Sequence, residues 1–294
     1  MNFKYLYPYL KERFPIVNMA LFAILFLTVY SLAQFFVLDH NHTSTIAQAG
    51  GIIATIFFFF RLRVFDEIKD YQLDIINHPQ RVLQSGRITL KELKAIAIVG
   101  LLIEASWSIY MGTSCFMVWL IAFGFSLLMR YEFFVAEFLK KKLVLYAITH
   151  MLIMPLVILW IWLAFNSEIS IEWGYLAFLS LTGGFSFEIA RKIHAANAER
   201  LTVDSYSKAI GLKGSVLTVL LILLTGIVIL FRLMIIIKAS LVVYVIVMIL
   251  FLVTIFMYVK AVSSEAEKKF RHAEILVSLF MLISYLALII EINF

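Results

Sequence analysis

Residues 51–74 read GIIATIFFFFRLRVFDEIKDYQLD, an apolar and aromatic run that turns into a ladder of acids. Asp66, Asp70 and Asp74 recur every four residues, with Glu67 beside the first. On an α-helix each such step overshoots one turn by about 40°, so the three aspartates share a face. The segment before them has the character of a membrane span, which crowds several carboxylates at a membrane boundary. Binding of divalent cations accounts for such crowding. The plainer alternative is a solvated acidic helix end balanced by Arg61, Arg63 and Lys69.

The rest of the chain is equally apolar. Of 294 residues 63% are hydrophobic and 15% charged, and the mean hydropathy is +0.97. Soluble domains are about 45–50% apolar and about 25% charged, so this is a polytopic membrane protein. A hydrocarbon core about 30 Å thick needs about 20 apolar residues per helix. Nine stretches meet that need, near residues 15–38, 44–62, 94–112, 114–131, 142–165, 170–188, 213–236, 239–259 and 272–292. The predicted fold is all-α: one membrane domain over residues 1–294 with nine transmembrane helices. Long continuous apolar runs without polar alternation exclude an outer-membrane barrel. The first run starts after Pro15, is too long for a signal peptide and has no cleavage pattern behind it.

The placement of Lys and Arg supports this layout. With a cytoplasmic amino terminus, 23 of the 25 fall on one side, leaving only Arg232 and Lys238 on the other. The positive-inside rule then puts the amino terminus and both acid-bearing loops in the cytoplasm and the carboxyl terminus outside, as in a bacterial inner membrane. The net charge of +6 is spread over these loops and suits anionic membrane lipid; no nucleic-acid-binding module is present. The one cysteine, Cys115, lies in an apolar segment, so neither a disulfide framework nor a thiolate metal site is available.

Two loops are longer and more polar than the others, residues 63–93 and 189–212. They follow the second and sixth predicted spans, and each starts with acids at a helix end, a faint echo of two related halves. In the first, HPQRVLQSGRI (residues 78–88) is turn-rich through Pro79 and Ser85-Gly86. Arg81 and Arg87 there are candidates for phosphate oxygens, because the guanidinium fork suits phosphate; ordinary positive-inside arginines are the alternative. In the second, residues 183–211, the acids are Glu188, Glu199 and Asp204 and the bases Arg191, Lys192, Arg200 and Lys208. Glu188 and Lys192 stand at i, i+4, the spacing of a plain surface ion pair.

Isolated polar residues inside the spans are Glu104, Tyr110, His150 and Asn166. An ionisable group in a membrane points to function by default, yet a Glu104 hydrogen-bonded to a neighbouring helix serves structure equally. His150 precedes Pro155, which is expected to kink the fifth span, so a structural histidine is the favoured reading. Asp39, His40 and His42 offer a remote metal-chelating alternative, and Asn41-His42-Thr43 fits a glycosylation sequon.

Together these features resemble the UbiA superfamily of intramembrane prenyltransferases. That family's first motif is N/D-D-x-x-D-x-x-x-D, followed by a turn like R-P-L-P-S-G. Here Asp66-Glu67-x-x-Asp70-x-x-x-Asp74 is followed by Arg81-Val82-Leu83-Gln84-Ser85-Gly86. Glu67 replaces an aspartate and Val82 replaces the proline of the turn. The family's second motif, D-x-x-D-x-x-x-D, keeps only Glu188, with Arg191 where the next acid is expected. The wording EIARKI and VDSYSK resembles a bacterial subgroup with this degenerate second motif.

The resemblance implies a Mg2+-dependent enzyme that moves an isoprenyl group from an isoprenyl diphosphate to a lipophilic or aromatic acceptor. Asp66, Asp70 and Asp74 would be the catalytic, metal-holding acids, joined by Glu67 and by Glu188 from the second loop. Arg81, Arg191 and Lys192 would bind the diphosphate. Glu199 or Asp204 would supply a second metal site, or else Arg191 and Lys192 hold the diphosphate directly. Two alternatives stay open: a membrane terpene cyclase of the same superfamily, and a transporter that uses the ladder as an ion gate.

Overall fold

The structure, a computed structural model, describes residues 3–37, 44–199 and 204–294. Asp39, His40, Asn41, His42, Thr43 and Arg200, named above as candidates, lie outside the described residues. Every regular element described is helical: α1 (Leu6–Arg13), α2 (Ile16–Phe35), α3 (Thr45–Asn77), α4 (Leu90–Met111), α5 (Thr113–Arg130), α6 (Ala136–Lys140), α7 (Leu143–Met151), α8 (Ile153–Phe165), α9 (Ile171–Arg191), α10 (Tyr206–Ile210), α11 (Leu212–Ile236), α12 (Leu241–Ser264) and α13 (Glu267–Asn293).

Eight of the nine expected spans recur among the described residues as helices long and apolar enough to cross a membrane. The remaining one, the sixth expected span at 170–188, coincides with α9, which is 21 residues long but not among the eight. Its sequence explains this: Ser180, Thr182, Gly183, Gly184, Ser186 and Glu188 interrupt the apolar run. Small residues let helices approach closely inside a bilayer, where packing rather than the hydrophobic effect drives association.

The chain divides into two compact units, and the boundary falls inside α8. Unit 1 comprises Met1–Phe134 with Trp160–Ser167. Its centre is aromatic: Trp107 and Trp160 meet edge to face at 5.3 Å, and Phe26 packs edge-on against Trp107 and Phe165. The buried indoles are satisfied, Trp107 Nε1 donating to Ala47 O and Trp160 Nε1 to Ser108 Oγ. Asn166 donates to Ala33 O, and Cys115 is buried with its thiol on Trp160 O.

Unit 2 comprises Val135–Leu159 with Glu168–Phe294. Here α9 and α11 pack so closely that a Cβ built on Gly226 would lie 2.9 Å from Thr182 Oγ1. The expected kink of the fifth span is present: α7 stops at Met151 and α8 starts at Ile153, just before Pro155. Proline has no N–H and its ring clashes with the carbonyl four residues back, here that of Met151. His150 stacks on Tyr146 at 4.0 Å and its Nδ1 lies 2.9 Å from Tyr146 O, a structural role.

Candidate functional site

The site in unit 1 is built on the polar end of α3. Ser44 caps the start of this helix by accepting from Ile46 N–H, and the helix runs for 33 residues, well past the apolar segment. The acid ladder occupies that extension. Asp66 is half exposed, whereas Asp74 keeps only 14% of its side chain accessible and Glu67 none. Burial, above all, lifts the Asp70 carboxyl above the usual carboxylate range; Lys69 opposes this, and Asp66, Asp74 and Glu132 reinforce it.

Asp66, Glu67 and Asp74 each face a different nearest cation. Lys69 Nζ lies 3.5 Å from Asp66 Oδ1 and 3.1 Å from Glu132 Oε1. Glu67 sits one residue, about 100°, round the helix from Asp66. It turns inward onto Arg13, whose Nε donates at 2.6 Å, with Arg63 Nε at 3.2 Å. Its second oxygen, Oε2, is buried without a hydrogen-bond partner. Asp74 Oδ2 accepts from Arg81 Nη1 at 2.8 Å, and Arg13 Nη2 is 3.7 Å away. Arg61, one of the bases of the plainer solvated-helix-end alternative, is buried and paired with Glu104 instead.

Arg81 is presented by the turn after α3. Arg81 N–H donates to His78 O and Ser85 N–H to Arg81 O, while Gly86, with φ +74°, takes the left-handed conformation that favours glycine. Val82, Leu83 and Ile88 are buried and seat the turn, and Thr89 then opens α4 with a capping box to Glu92. The structure therefore gathers Asp66, Glu67, Asp70, Asp74 and Arg81 into one neighbourhood.

In unit 2 Glu188, Arg191 and Lys192 converge at the end of α9. Arg191 Nε donates to Glu188 Oε2 at 2.5 Å, and Lys192 Nζ lies 2.8 Å from Glu188 Oε1. The single Ser205 hydroxyl donates to the Glu199 carboxylate, 2.7 and 2.9 Å from its two oxygens, with Lys208 Nζ at 3.8 Å. Asp204 borders a cavity of about 490 Å³ with Glu137, Lys141, Ser205 and Lys208. The loop is tied down by Tyr206 N–H donating to Lys192 O, and by Arg271, which donates to Arg191 O and Ile193 O. Tyr206 is fully buried, and its hydroxyl is pushed up to about 12 by burial first and by Glu188 second.

Among the described residues no three His, Cys, Asp or Glu side chains converge as a ready metal cage. The donor set still suits Mg2+, which prefers one or two carboxylates plus phosphate oxygens and retained water. Asp66 and Asp70, an accessible carboxylate and a crowded one, fit this best.

Residues 25–284 match the model of the UbiA prenyltransferase family. The chain belongs to this family. No curated protein sequence matches it. Its fold is similar to that of a digeranylgeranylglyceryl phosphate synthase, at 20% identity over 98% of this chain and 99% of that one, with a TM-score of 0.71. It is also similar to an apo UbiA homologue from Aeropyrum pernix K1, at 13% identity over 94% and 98%, TM-score 0.69. A third likeness is to a UbiA homologue from Archaeoglobus fulgidus bound to GPP and Mg2+, at 14% identity over 96% and 99%, TM-score 0.55.

For a UbiA family chain, the structure adds residues that the motifs did not reveal. Arg13 and Glu12 come from α1, ahead of the matched segment, and Glu132 from the turn after α5. Glu132, Phe133 and Phe134 are successive non-glycine residues at φ 50°, 52° and 60°, an uncommon backbone that places the Glu132 carboxylate against Lys69. Nothing in the local sequence marks these three for the site, since each acts across a large chain separation.

Proposed function

We propose that this UbiA family protein is a Mg2+-dependent prenyltransferase that moves an isoprenyl group from an isoprenyl diphosphate to a lipophilic or aromatic acceptor. The observation that carries this reading is the crowding of Asp66, Asp70 and Asp74 on one helix end, with Arg81 brought onto the last rung by the following turn. Asp66, Asp70 and Asp74 would hold the metal, which supplies charge neutralisation on the departing diphosphate. Glu67, whose Oε1 meets Arg13 and Arg63 while Oε2 has no hydrogen-bond partner, would support the metal-holding aspartates. Arg81, Arg191 and Lys192 would bind diphosphate oxygens, and Glu188 would hold Arg191 and Lys192 in place.

The carbon–oxygen bond of the substrate then breaks with its electron pair leaving on the diphosphate. The allylic cation is captured by the acceptor, which loses a proton. Charge stabilisation and positioning supply the catalysis, and exclusion of water protects the cation. Apolar space for a hydrocarbon chain exists in unit 2, in a cavity of about 360 Å³ lined by Ile148, Met151, Phe178, Leu181, Phe185 and Ile222. The distribution of Lys and Arg supports a bacterial inner-membrane orientation with the amino terminus and both acid-bearing loops cytoplasmic and the carboxyl terminus outside.

The test is incubation of purified protein with geranyl, farnesyl and geranylgeranyl diphosphates, with and without Mg2+, followed by pyrophosphate and product analysis. Turnover that needs an added acceptor supports the transferase, and Asp70→Asn and Asp74→Asn should abolish it in folded protein. A cyclic hydrocarbon or alcohol formed without acceptor would make the enzyme a cyclase. No Mg2+-dependent turnover with any substrate would sink both.

A further inference from the structure

Helix α1 lies ahead of the segment that matches the family, yet it holds both parts of the unit 1 site. Two of its residues do so. Glu12 Oε2 accepts the N–H of Val82 at 2.8 Å. Arg13 donates to Glu67 at 2.6 Å and reaches Asp74 at 3.7 Å. Two consecutive residues of one short helix thus grip the turn and the ladder.

The contact with Val82 depends on a departure in this chain. Val82 stands where the R-P-L-P-S-G-like turn carries proline, and it directly follows Arg81. Proline fixes its own φ near about −65° and has no N–H to satisfy. Valine does neither, so the turn here is freer and exposes a donor. Glu12 occupies that donor with a charged acceptor, the stronger class of hydrogen bond. The same turn delivers Arg81 to Asp74. Arg13 meanwhile hydrogen-bonds Glu67 and places a second guanidinium nitrogen 3.7 Å from Asp74, so it touches acids before and after Asp70.

We propose that α1 is a positioning clip for diphosphate binding, in which Glu12 holds the Arg81 turn through the Val82 N–H and Arg13 holds the ladder through Glu67 and Asp74. This rests on the prenyltransferase reading above. The helix touches no reacting atom; it acts through Arg81 and the acids. Its loss costs substrate affinity rather than the chemical step.

Amide hydrogen exchange of residues 78–88 is compared in the parent protein, Glu12→Ala, Arg13→Gln and the exposed-neighbour control Lys11→Ala. KM and kcat for the isoprenyl diphosphate, and Mn2+–pyrophosphate binding by electron paramagnetic resonance, are measured alongside. Glu12→Ala should speed exchange at Val82 and raise KM about tenfold with kcat nearly unchanged, the pattern of lost ground-state binding. Arg13→Gln should weaken Mn2+–pyrophosphate binding, and Lys11→Ala should change nothing. Adding Val82→Pro to Glu12→Ala should restore KM, since proline needs no acceptor. Faster exchange with unchanged KM would reduce the clip to a structural anchor, and unchanged exchange would remove it altogether. A parent with no prenyl turnover, but whose Mn2+–pyrophosphate binding weakens in Arg13→Gln, would overturn the function and leave the clip standing.

Discussion

Arg61 on α3 donates to both carboxylate oxygens of Glu104 on α4, Nε to Oε1 at 3.2 Å and Nη2 to Oε2 at 2.8 Å. The pair is closed on all sides. Ser126 accepts Arg61 Nη1 at 2.7 Å, Trp119 Nε1 donates to Glu104 Oε2 at 3.1 Å, and the rings of Phe58 and Phe123 flank the guanidinium. Arg61 precedes Asp66 by little more than one turn, so this knot fixes the rotation of α3 just before the ladder begins.

Removing one partner leaves the other charge buried and unpaired. Glu104→Ala or Arg61→Ala alone should cost about 3–5 kcal/mol, and the paired replacement Arg61→Met with Glu104→Leu should cost far less than their sum. Unfolding in detergent measures this, and additive losses would deny the coupling.

Asp70 is the rung least suited to carry charge, because burial and its acidic neighbours raise its carboxyl. In the folded protein it keeps its proton to higher pH than in the unfolded chain. Stability therefore falls as pH rises from the ordinary carboxylate value of 3.8 through the raised folded value. At pH 7 the charged Asp70 lowers stability, so Asp70→Asn should raise Tm in Mg2+-free buffer even as it abolishes turnover. An unchanged or lower Tm would contradict the crowding.

The ladder was legible because its contacts are local: four-residue spacing on one helix face needs no tertiary knowledge. The break before Pro155 and the pair Glu188–Lys192 were legible for the same reason. The clip of Glu12 and Arg13 was not, since its partners lie 54 and 70 residues away. Arg61 and Glu104 stood in the sequence as a balancing base and a lone intramembrane acid, and only packing joined them. Helix α9 shows the converse. Its length suited a span, but the small and polar residues that seat it against α11 and α13 dilute the apolar signal.

The buried hydroxyl of Tyr206 has no hydrogen-bond partner, and its ionisation is pushed up to about 12. Between the ordinary tyrosine value of 10.0 and that point, the unfolded chain loses this proton while the folded chain keeps it. Stability falls with pH across this window. Tyr206→Phe removes an unsatisfied polar group, so it should hold or raise Tm at pH 7 and flatten the decline between pH 10 and 12. An equally steep decline in the variant would contradict this.

Two glycines of unit 1 should respond oppositely to the same substitution. A Cβ at Gly51 would press into the ring of Phe26 and lie 2.6 Å from Trp107 Cζ2. Trp107 cannot swing aside without breaking its indole bond to Ala47 O, which lies on the same helix as Gly51. Gly51→Ala should therefore force α2 or α4 away from α3 and cost about 1–3 kcal/mol, the range for overpacked cores. Gly124 on α5 meets nothing within 4 Å of an added Cβ. There alanine brings only its helix preference, worth up to about 1 kcal/mol over glycine in water. Gly124→Ala should hold or raise the unfolding midpoint in detergent while Gly51→Ala lowers it. Because Gly51 lies four turns before Asp66 on one continuous helix, Gly51→Ala should also raise KM for the diphosphate. A variant that is destabilised yet keeps the parent KM would show that the ladder is set by the Arg61–Glu104 knot alone.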